Sequence, residues 1–325
     1  MHEIRIDPLS GLRTIIAAER SGRPGAQLTV APPAPIDPGA DPFAEGHEDR
    51  TPPELFALRP DGGEPDGPGW TVRVVPNPYP VLAAEAAAPE RDAVPHLFAA
   101  LPAGGDHEVI VTAPQPVTSL SELGAEQVVA ALDVWRERMR AHGGAYPHLV
   151  VDERVEAGAT IPHTHAQLFA LDAVPGAVAR ERERFSAHAA RTMGGNLLED
   201  LVQEEVRRRE RIVAIDDEAV LMCPYASRMP YALMLAPRRR RERFEDDGAT
   251  GAALLHDGLS RLARRFGAPP PLNLWVRTAP RDADRFCWRI DILPRLTPLT
   301  GLELGTGVGL NIVAPEQAAA ELRDA

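Results

Sequence analysis

The chain has 325 residues, 44% hydrophobic and 25% charged, which is the composition of a globular protein large enough for two domains. Its formal net charge of −12 gives no general electrostatic support for a nucleic-acid partner, and no apolar run is long enough for a membrane span. The sequence contains no lysine, so a phosphate site must use arginine, histidine, amide or backbone donors. Cys223 and Cys287 lack the spacing of a disulfide framework or a zinc motif. The N-terminus has no secretory pattern, and we expect a cytoplasmic protein.

The first half reads as loops followed by alternating strands and one helix. Residues 21–69 are rich in Pro, Gly and Asp and predict irregular structure. Strands are predicted in WTVRVVPNPYPVL (70–82), HEVIVTAP (107–114), YPHLVVDERV (146–155) and HAQLFALD (165–172). A helix is predicted from Ser119 to Gly143, because Ser119 and Glu122 fit a capping box and apolar residues then recur at helical spacing.

The second half repeats this order after a charged helical stretch at about 176–210. The repeated segments are a broken hairpin (211–230), a strand (231–238), a helix (249–266) and two strands (271–279 and 286–294). Each copy predicts a mostly antiparallel sheet that carries one long helix, which is an α+β pattern. We therefore expect two fused halves, 1–175 and 176–325.

The segment IPHTHAQLFAL, residues 161–171, is the strongest candidate for a site. His163, His165 and Gln167 alternate, so in a strand they share one face. A neutral imidazole is a good nucleophile toward phosphorus near neutral pH, and a glutamine amide can donate to a phosphate oxygen. In register with the repeat, His165 and Gln167 fall on Arg289 and Asp291, so only the first copy keeps the histidines. This asymmetry favours one working site.

Two other interpretations of the motif remain open at this point. The histidines can be satisfied residues of a half-buried strand, or two ligands of a metal. A metal site needs further ligands, and the remaining candidates are scattered without diagnostic spacing: His47, His96, His107, His142 and His148.

The motifs together resemble the galactose-1-phosphate uridylyltransferases, a family built from two fused copies of the histidine-triad fold. The resemblance rests on ERSGRP (19–24), DPFAEGHEDRTPPEL (41–55), WTVRVVPNPYPVL, IPHTHAQLFAL, CPYASRMPYALMLAPR (223–238) and the segment 286–323. These motifs span nearly the whole chain in the order of the family.

The resemblance implies a ping-pong nucleotidyl transfer between a nucleotide sugar and a hexose 1-phosphate. His165 would attack the α-phosphorus and carry a covalent nucleotide, Gln167 would bind the phosphoryl group, and His163 would support the nucleophile. The residues implied at the nucleotide are Arg20, Arg23, Asn77, Asp152 and Thr160. Those implied at the hexose phosphate are Glu303, Gly305, Thr306 and Gly307, in a Gly-rich segment able to cradle an anion through backbone N–H groups. Arg20 and Arg23 approach the site from the neighbouring subunit in the family, so a homodimer is implied.

The chain departs from the family at a structural zinc site. The two cysteine ligands are replaced by Asp41 and Ala44, a third ligand falls on Pro116 or Gln115, and only His163 is kept. Because a tetrahedral site cannot be completed from these residues, we predict no zinc there and no cofactor. The HWH of the second copy has become Cys287-Trp288-Arg289, and Asp152 stands where an asparagine is frequent, so the sequence leaves the sugar and the nucleobase open.

The sequence leaves three alternative functions to be tested. The first is transfer of UMP, or another nucleoside monophosphate, between a nucleotide sugar and a hexose 1-phosphate. The second is a phosphorylase or hydrolase of nucleotide sugars or dinucleoside polyphosphates. Gln167 disfavours hydrolysis, because a neutral amide is poorly suited to activate water. The third is a non-catalytic nucleotide-binding homologue.

Overall fold

The computed structural model describes residues 2–23, 28–89, 94 and 97–325. The strands in these ranges are β1 (His2–Ile6), β2 (Arg13–Ala17), β3 (Phe56–Leu58), β4 (Val72–Pro76), β5 (Gly105–Val111), β6 (Tyr146–Glu153), β7 (His165–Leu171), β8 (Ile212–Ile215), β9 (Ala219–Met222), β10 (Leu233–Pro237), β11 (Leu272–Arg277), β12 (Arg289–Pro294) and β13 (Gly309–Asn311). The α-helices are α1 (Ala125–Ala141), α2 (Gly176–Arg191), α3 (Leu197–Arg208), α4 (Ala252–Phe266), α5 (Gly301–Thr306) and α6 (Pro315–Asp324). No helix of the described ranges is long and apolar enough to cross a membrane.

Ten strands form one sheet in the order β3-β4-β5-β7-β6-β11-β12-β10-β9-β8. The first five come from the first half and the last five from the second half, in mirrored order. The two halves join edge to edge through the antiparallel pair of β6 and β11. The expected fold class, α+β with two fused halves that each carry a long helix, is confirmed.

The strand register relates the two halves by a pseudo-two-fold axis. Val150 of β6 pairs with Gln167 of β7, and Trp275 of β11 pairs with Asp291 of β12. Val150 and Trp275 also pair with each other across the junction. The axis therefore passes through this pair, and Asp291 occupies in the second half the position of Gln167 in the first.

One face of the large sheet forms the main core. Alternate strand residues such as Ala166, Leu168 and Ile290 are buried there with the apolar sides of α1 and α4, because side chains at every second strand position share a face. The opposite face carries the polar strand residues, among them His165, Gln167 and Arg289. The core thus fixes the register that aims these residues to the other side.

A second sheet, β1-β2-β13, lies against the second half and was not predicted from the sequence. The hydroxyl of Thr14 on β2 donates to the carbonyl oxygen of Ala226 at 3.0 Å, and Arg5 on β1 pairs with Glu316 of α6 at 2.8 Å. In β1, Ile4 and Ile6 alternate with polar residues as in a strand, and both side chains are exposed.

The structure corrects the predicted start of one helix and divides a second predicted helical stretch into two helices. The helix of the first half begins at Ala125 rather than at Ser119, because Ser119 caps a short 3-10 turn and the Glu122 carboxylate turns back to the amide of Thr118 at 2.9 Å. The charged stretch 176–210 is two helices, and Asn196 caps α3 by accepting from two backbone amides.

Candidate active site

His165 is the first residue of β7, and its side chain is 7% exposed. Its Nδ1 lies 2.7 Å from the carbonyl oxygen of His163. Because a carbonyl oxygen can only accept, Nδ1 carries the ring proton and Nε2 keeps its lone pair. Burial lowers the pKa of His165 from its ordinary value of 6.5, which favours the neutral ring. These are the tautomer and the charge state that a nitrogen nucleophile needs.

His163 does not belong to the strand, contrary to the prediction that it shares a face with His165 and Gln167. It precedes β7 and is completely buried. Its Nδ1 lies 2.7 Å from Oδ2 of Asp41, and its Nε2 lies 2.9 Å from the carbonyl oxygen of Ala113. The ring is held on both sides, so the carbonyl group that orients His165 is fixed in place.

The Phe43 ring packs edge-on against His165, with the ring centroids 5.1 Å apart. The turn that presents Phe43 is closed by Asp41, whose Oδ1 accepts the Phe43 amide at 2.9 Å. Asp41 thus binds His163 through one carboxylate oxygen and holds Phe43, the aromatic neighbour of His165, through the other. Sequence reasoning identified Asp41 only as a replaced metal ligand.

Gln167 points to the same face as His165, as predicted. Its Oε1 lies 3.0 Å from Nε2 of His107 on β5. The Nδ1 of His107 accepts from the amide of Val81 at 3.4 Å, which leaves Nε2 to donate to Gln167. The side chain of Asn77 lies 3.2 Å from the same Nε2. The structure therefore brings Gln167 and Asn77 together around His107, which the sequence had left as a scattered histidine.

Asp152 lies on this face as well. The negative charge of its carboxylate raises the pKa of His165 and so partly offsets the lowering caused by burial. Its Oδ1 accepts from the amide of Asn273 at 2.6 Å across the junction of the halves. Thr160 is exposed in the turn before β7.

The remaining predicted residues lie elsewhere in the chain. Arg20 and Arg23 are exposed just after β2 on the small sheet, and Pro24 of the same motif lies outside the described residues. The segment with Glu303, Gly305, Thr306 and Gly307 precedes β13 of that sheet. It forms helix α5, since Thr300 and Glu303 build a capping box and Gly307 closes the helix with a φ of 70°. The backbone amides of Leu304 and Gly307 donate to the carbonyl oxygens of Thr300 and Glu303 in this helix, so these two amides are already hydrogen-bonded.

The residues at the family's zinc position do not fit a zinc ion. Asp41 and His163 bond to each other, and Ala44 offers no ligand atom. The described residues contain no group of three or more His, Cys, Asp or Glu side chains that could hold a metal. Of the other histidines, His96 lies outside the described residues, and His142 bonds Glu108 at 2.8 Å on the outer part of β5.

The fold and the site together define a class, namely duplicated α+β proteins with a buried histidine at the start of a central strand. Residues 70–175 match the family Galactose-1-phosphate uridyl transferase, N-terminal domain. This match confirms the resemblance to the galactose-1-phosphate uridylyltransferases that was seen in the sequence.

Relatives with two different named activities match nearly the whole chain. The chain is 25% identical over 337 residues to the ADP-glucose phosphorylase of Arabidopsis thaliana, covering 99% of this chain and 92% of that protein. It is 25% identical over 351 residues to a galactose-1-phosphate uridylyltransferase of Cryptococcus neoformans var. neoformans, covering 98% and 89%. The crystal structure of the Arabidopsis ADP-glucose phosphorylase with bound ADP-glucose shares the fold, with a TM-score of 0.82, 24% identity and coverage of 100% and 99%.

Proposed function

We propose that this chain transfers a nucleoside monophosphate from a nucleotide sugar to a phosphate acceptor through a covalent nucleotidyl-His165. The observation that carries the proposal is the 2.7 Å bond between Nδ1 of His165 and the carbonyl oxygen of His163. This bond fixes the tautomer in which Nε2 presents its lone pair, and the lowered pKa of the ring keeps that lone pair available at neutral pH.

In the first step Nε2 of His165 bonds to the α-phosphorus, and the bond from that phosphorus to the bridging oxygen breaks. The hexose 1-phosphate leaves with the electron pair. The nucleotidyl-imidazole keeps its Nδ1 proton and is therefore cationic, and the carbonyl oxygen of His163 and the nearby Asp152 carboxylate stabilise this charge. In the second step an oxygen of the acceptor attacks the same phosphorus and the bond to Nε2 breaks.

Gln167 serves the phosphoryl group in both steps. Its Oε1 accepts from His107, so its amide N–H is free to donate to a non-bridging oxygen. An amide does not titrate in the working range, so it gives constant stabilisation of charge without offering a base to water.

Inorganic phosphate is a second candidate acceptor beside a hexose 1-phosphate. The kinship with the Arabidopsis ADP-glucose phosphorylase over 99% of the chain favours it. Attack by phosphate on the intermediate releases a nucleoside diphosphate, so the net reaction is phosphorolysis of the nucleotide sugar. Under this candidate the nucleotide is AMP, and under uridylyl transfer it is UMP.

The site also needs positive charge for the substrate phosphates, which we propose comes from a second copy of the chain. Arg20, Arg23 and the segment 303–307 are attached to the second half by the small sheet, apart from His165. In a homodimer the small sheet of one subunit would supply these groups to the His165 of the other.

The test is to incubate the protein separately with UDP-glucose and ADP-glucose and to measure its intact mass. We expect a UMP or AMP adduct that is absent in His165→Ala. His148→Ala is the matched control, since His148 is a half-buried histidine on the same face that touches neither His165 nor Gln167 in the described contacts.

The acceptor is then identified by adding inorganic phosphate or galactose 1-phosphate to the isolated adduct. Rapid loss of the nucleotide with phosphate assigns a phosphorylase, and loss with the sugar phosphate assigns a transferase. Failure of both nucleotide sugars to form an adduct, with tight binding of either, would instead identify a non-catalytic homologue.

A further inference from the structure

Asn273 joins the two halves of the sheet on its polar face, beside the candidate active site. It lies on β11 and pairs with Asp152 of β6 across the junction. On the other side of β6, Val151 pairs with Ala166 of β7. The next residues of these antiparallel strands lie side by side, which places Asp152 next to His165. Asn273, Asp152 and His165 therefore form a row across three neighbouring strands.

The side-chain amide of Asn273 has its hydrogen-bonding groups in use. Its Nδ2 donates to Oδ1 of Asp152 at 2.6 Å and to the carbonyl oxygen of Ala157 at 2.7 Å. Its Oδ1 accepts from a guanidinium N–H of Arg295 at 3.2 Å. Two acceptors and one donor surround the amide, so its orientation is fixed and no N–H is left for a substrate. Asn273 therefore acts on the site through Asp152.

Arg295 brings a positive charge to the far side of this amide. Its backbone N–H donates to the carbonyl oxygen of Pro271 at 2.7 Å, which anchors the residue just after β12. Its guanidinium makes no ion pair within the described residues, and its buried Nε has no hydrogen-bond partner there. Because no carboxylate neutralises it directly, this guanidinium polarises the amide of Asn273 and stabilises the Asp152 anion behind it.

One carboxylate oxygen of Asp152 remains available to a ligand. The contact with Asn273 uses Oδ1, and Oδ2 has no hydrogen-bond partner among the described residues. The side chain is half-buried on the face that carries His165. An ionised carboxylate can only accept hydrogen bonds, so a ligand of Oδ2 must be a donor.

The donors that a nucleotide sugar can offer here are the hydroxyls of its ribose. Its phosphate groups are ionised near neutral pH, so they have no proton to donate, and a carboxylate repels them. When the α-phosphorus faces Nε2 of His165, the ribose is joined to that phosphorus through a single oxygen, whereas the hexose lies beyond the second phosphate. The ribose hydroxyls are therefore the donors nearest to the reacting phosphorus.

We propose that Asn273 and Arg295 are positioning residues that hold the Asp152 carboxylate as the acceptor for a ribose hydroxyl, so that the site prefers ribonucleotides to deoxyribonucleotides. This inference rests on the proposed nucleotide site at His165. It gives the second half a part in that site within the same chain, because both positioning residues belong to the second half.

The test is calorimetric binding of UMP and AMP and of their 2′-deoxy and 3′-deoxy forms. These nucleotides lack the second phosphate that leaves in the proposed reaction, so binding is measured without turnover. For whichever nucleotide binds more tightly, we expect one deoxy form to bind about 10-fold more weakly, since it loses a hydrogen bond to a charged acceptor. Asp152→Ala should abolish this preference. Asp152→Asn should reduce it to about 3-fold, because the group is then neutral.

The two positioning residues are tested by the same ratio of affinities, which a general loss of stability does not change. Asn273→Ala and Arg295→Met should each reduce the preference to about 3-fold. In the Asp152→Ala background neither should have a further effect, because the effects of residues that act through one another are not additive. Glu156→Ala is the matched control and should keep the preference, since it removes an exposed carboxylate of the turn after β6 that bonds Arg154 instead.

A preference that survives Asp152→Ala, or that both Asn273→Ala and Arg295→Met leave unchanged, would overturn the inference. Equal binding of the ribo and deoxy forms by the wild-type protein, or binding of none of them, would overturn it as well. An adduct on His165 without a ribose preference would overturn the inference and leave the proposed function intact. A ribose preference in a protein that forms no adduct would support the inference and contradict nucleotidyl transfer.

Discussion

Oδ2 of Asp41 lies 2.7 Å from Nδ1 of His163, and both side chains are almost completely removed from solvent. The other nitrogen of the ring faces the carbonyl oxygen of Ala113. Because both ring nitrogens face oxygen atoms, the Asp41–His163 pair needs a proton between its two members. The pair occupies the position where the sequence resemblance places a zinc site, and it holds the peptide that orients His165.

Removal of Asp41 is expected to destabilise the protein strongly. Asp41→Ala leaves a buried ring nitrogen unpaired, so we expect a loss of about 3–5 kcal/mol in the free energy of unfolding, measured by denaturant titration. Asp41→Asn keeps a donor for Nδ1 and should cost about 1 kcal/mol. The control is Asp37→Ala, which removes a similar bond to the Gly39 amide at an exposed turn. Equal losses for the two alanine variants would contradict the role of the pair.

Metal removal is expected to leave the protein unchanged. With Asp41 bonded to His163 and no ligand atom at Ala44, the zinc position offers too few ligands for a tetrahedral ion. Prolonged dialysis against a chelator should therefore alter neither the melting temperature nor adduct formation. A stoichiometric metal by elemental analysis, whose removal lowers the melting temperature, would disprove this.

Formation of the nucleotidyl adduct should persist in mildly acidic solution. Burial lowers the pKa of His165 below its ordinary value of 6.5, and only the neutral ring has a lone pair at Nε2. The rate should thus fall only as the pH drops through the lowered pKa. We expect the midpoint of the acid limb below pH 6.5 in single-turnover measurements. A midpoint at or above 6.5 would contradict this assignment.

His107 is expected to act as a positioning residue for Gln167. His107→Ala removes the donor that holds Oε1 of Gln167, and we expect a loss of about 10-fold in the rate of adduct formation, equivalent to about 1.4 kcal/mol. Substrate affinity should change less than the rate. His148→Ala is the control, because both histidines flank the ring of Phe169 but only His107 bonds Gln167. Equal effects of the two variants would assign His107 to packing alone.

Glu153 should make stability depend on pH. Complete burial raises the pKa of this carboxyl group from 4.5 to about 7. The folded state therefore holds a proton that the unfolded state has released between these values, and stability falls as the pH rises from 4.5 to 7. The full effect is about 3 kcal/mol.

Glu153→Gln should flatten this pH dependence, as measured by urea unfolding at pH 4.5, 6 and 8. The control is Glu126→Gln, which makes the same chemical change at an exposed carboxylate in the first turn of α1 and should leave the pH dependence unchanged. A wild-type protein whose stability rises between pH 4.5 and 7 relative to Glu153→Gln would refute the shift.

The sequence by itself determined the duplicated α+β fold, because the repeated order of strands and helices can be predicted from local hydrophobic periodicity and turn residues. The spacing of His165 and Gln167 also determined that they share one face, since that follows from strand periodicity alone. It could not show that His163 lies outside the strand, or that the segment after Leu299 closes into a helix, because hydrogen bonds at chain turns compete with those patterns.

Only the tertiary structure decided which groups surround the nucleophile. Asp41 meets His163 across 122 residues and His107 meets Gln167 across 60 residues. These contacts exist because β5 lies beside β7 and because the turn before β3 folds over the start of β7, and neither neighbour relation is encoded in a local period. A cavity in the second half, lined by Arg289 and Asp291 among others, arises in the same way, because the turn between β1 and β2 and helix α2 lie over strands that are far from them in sequence.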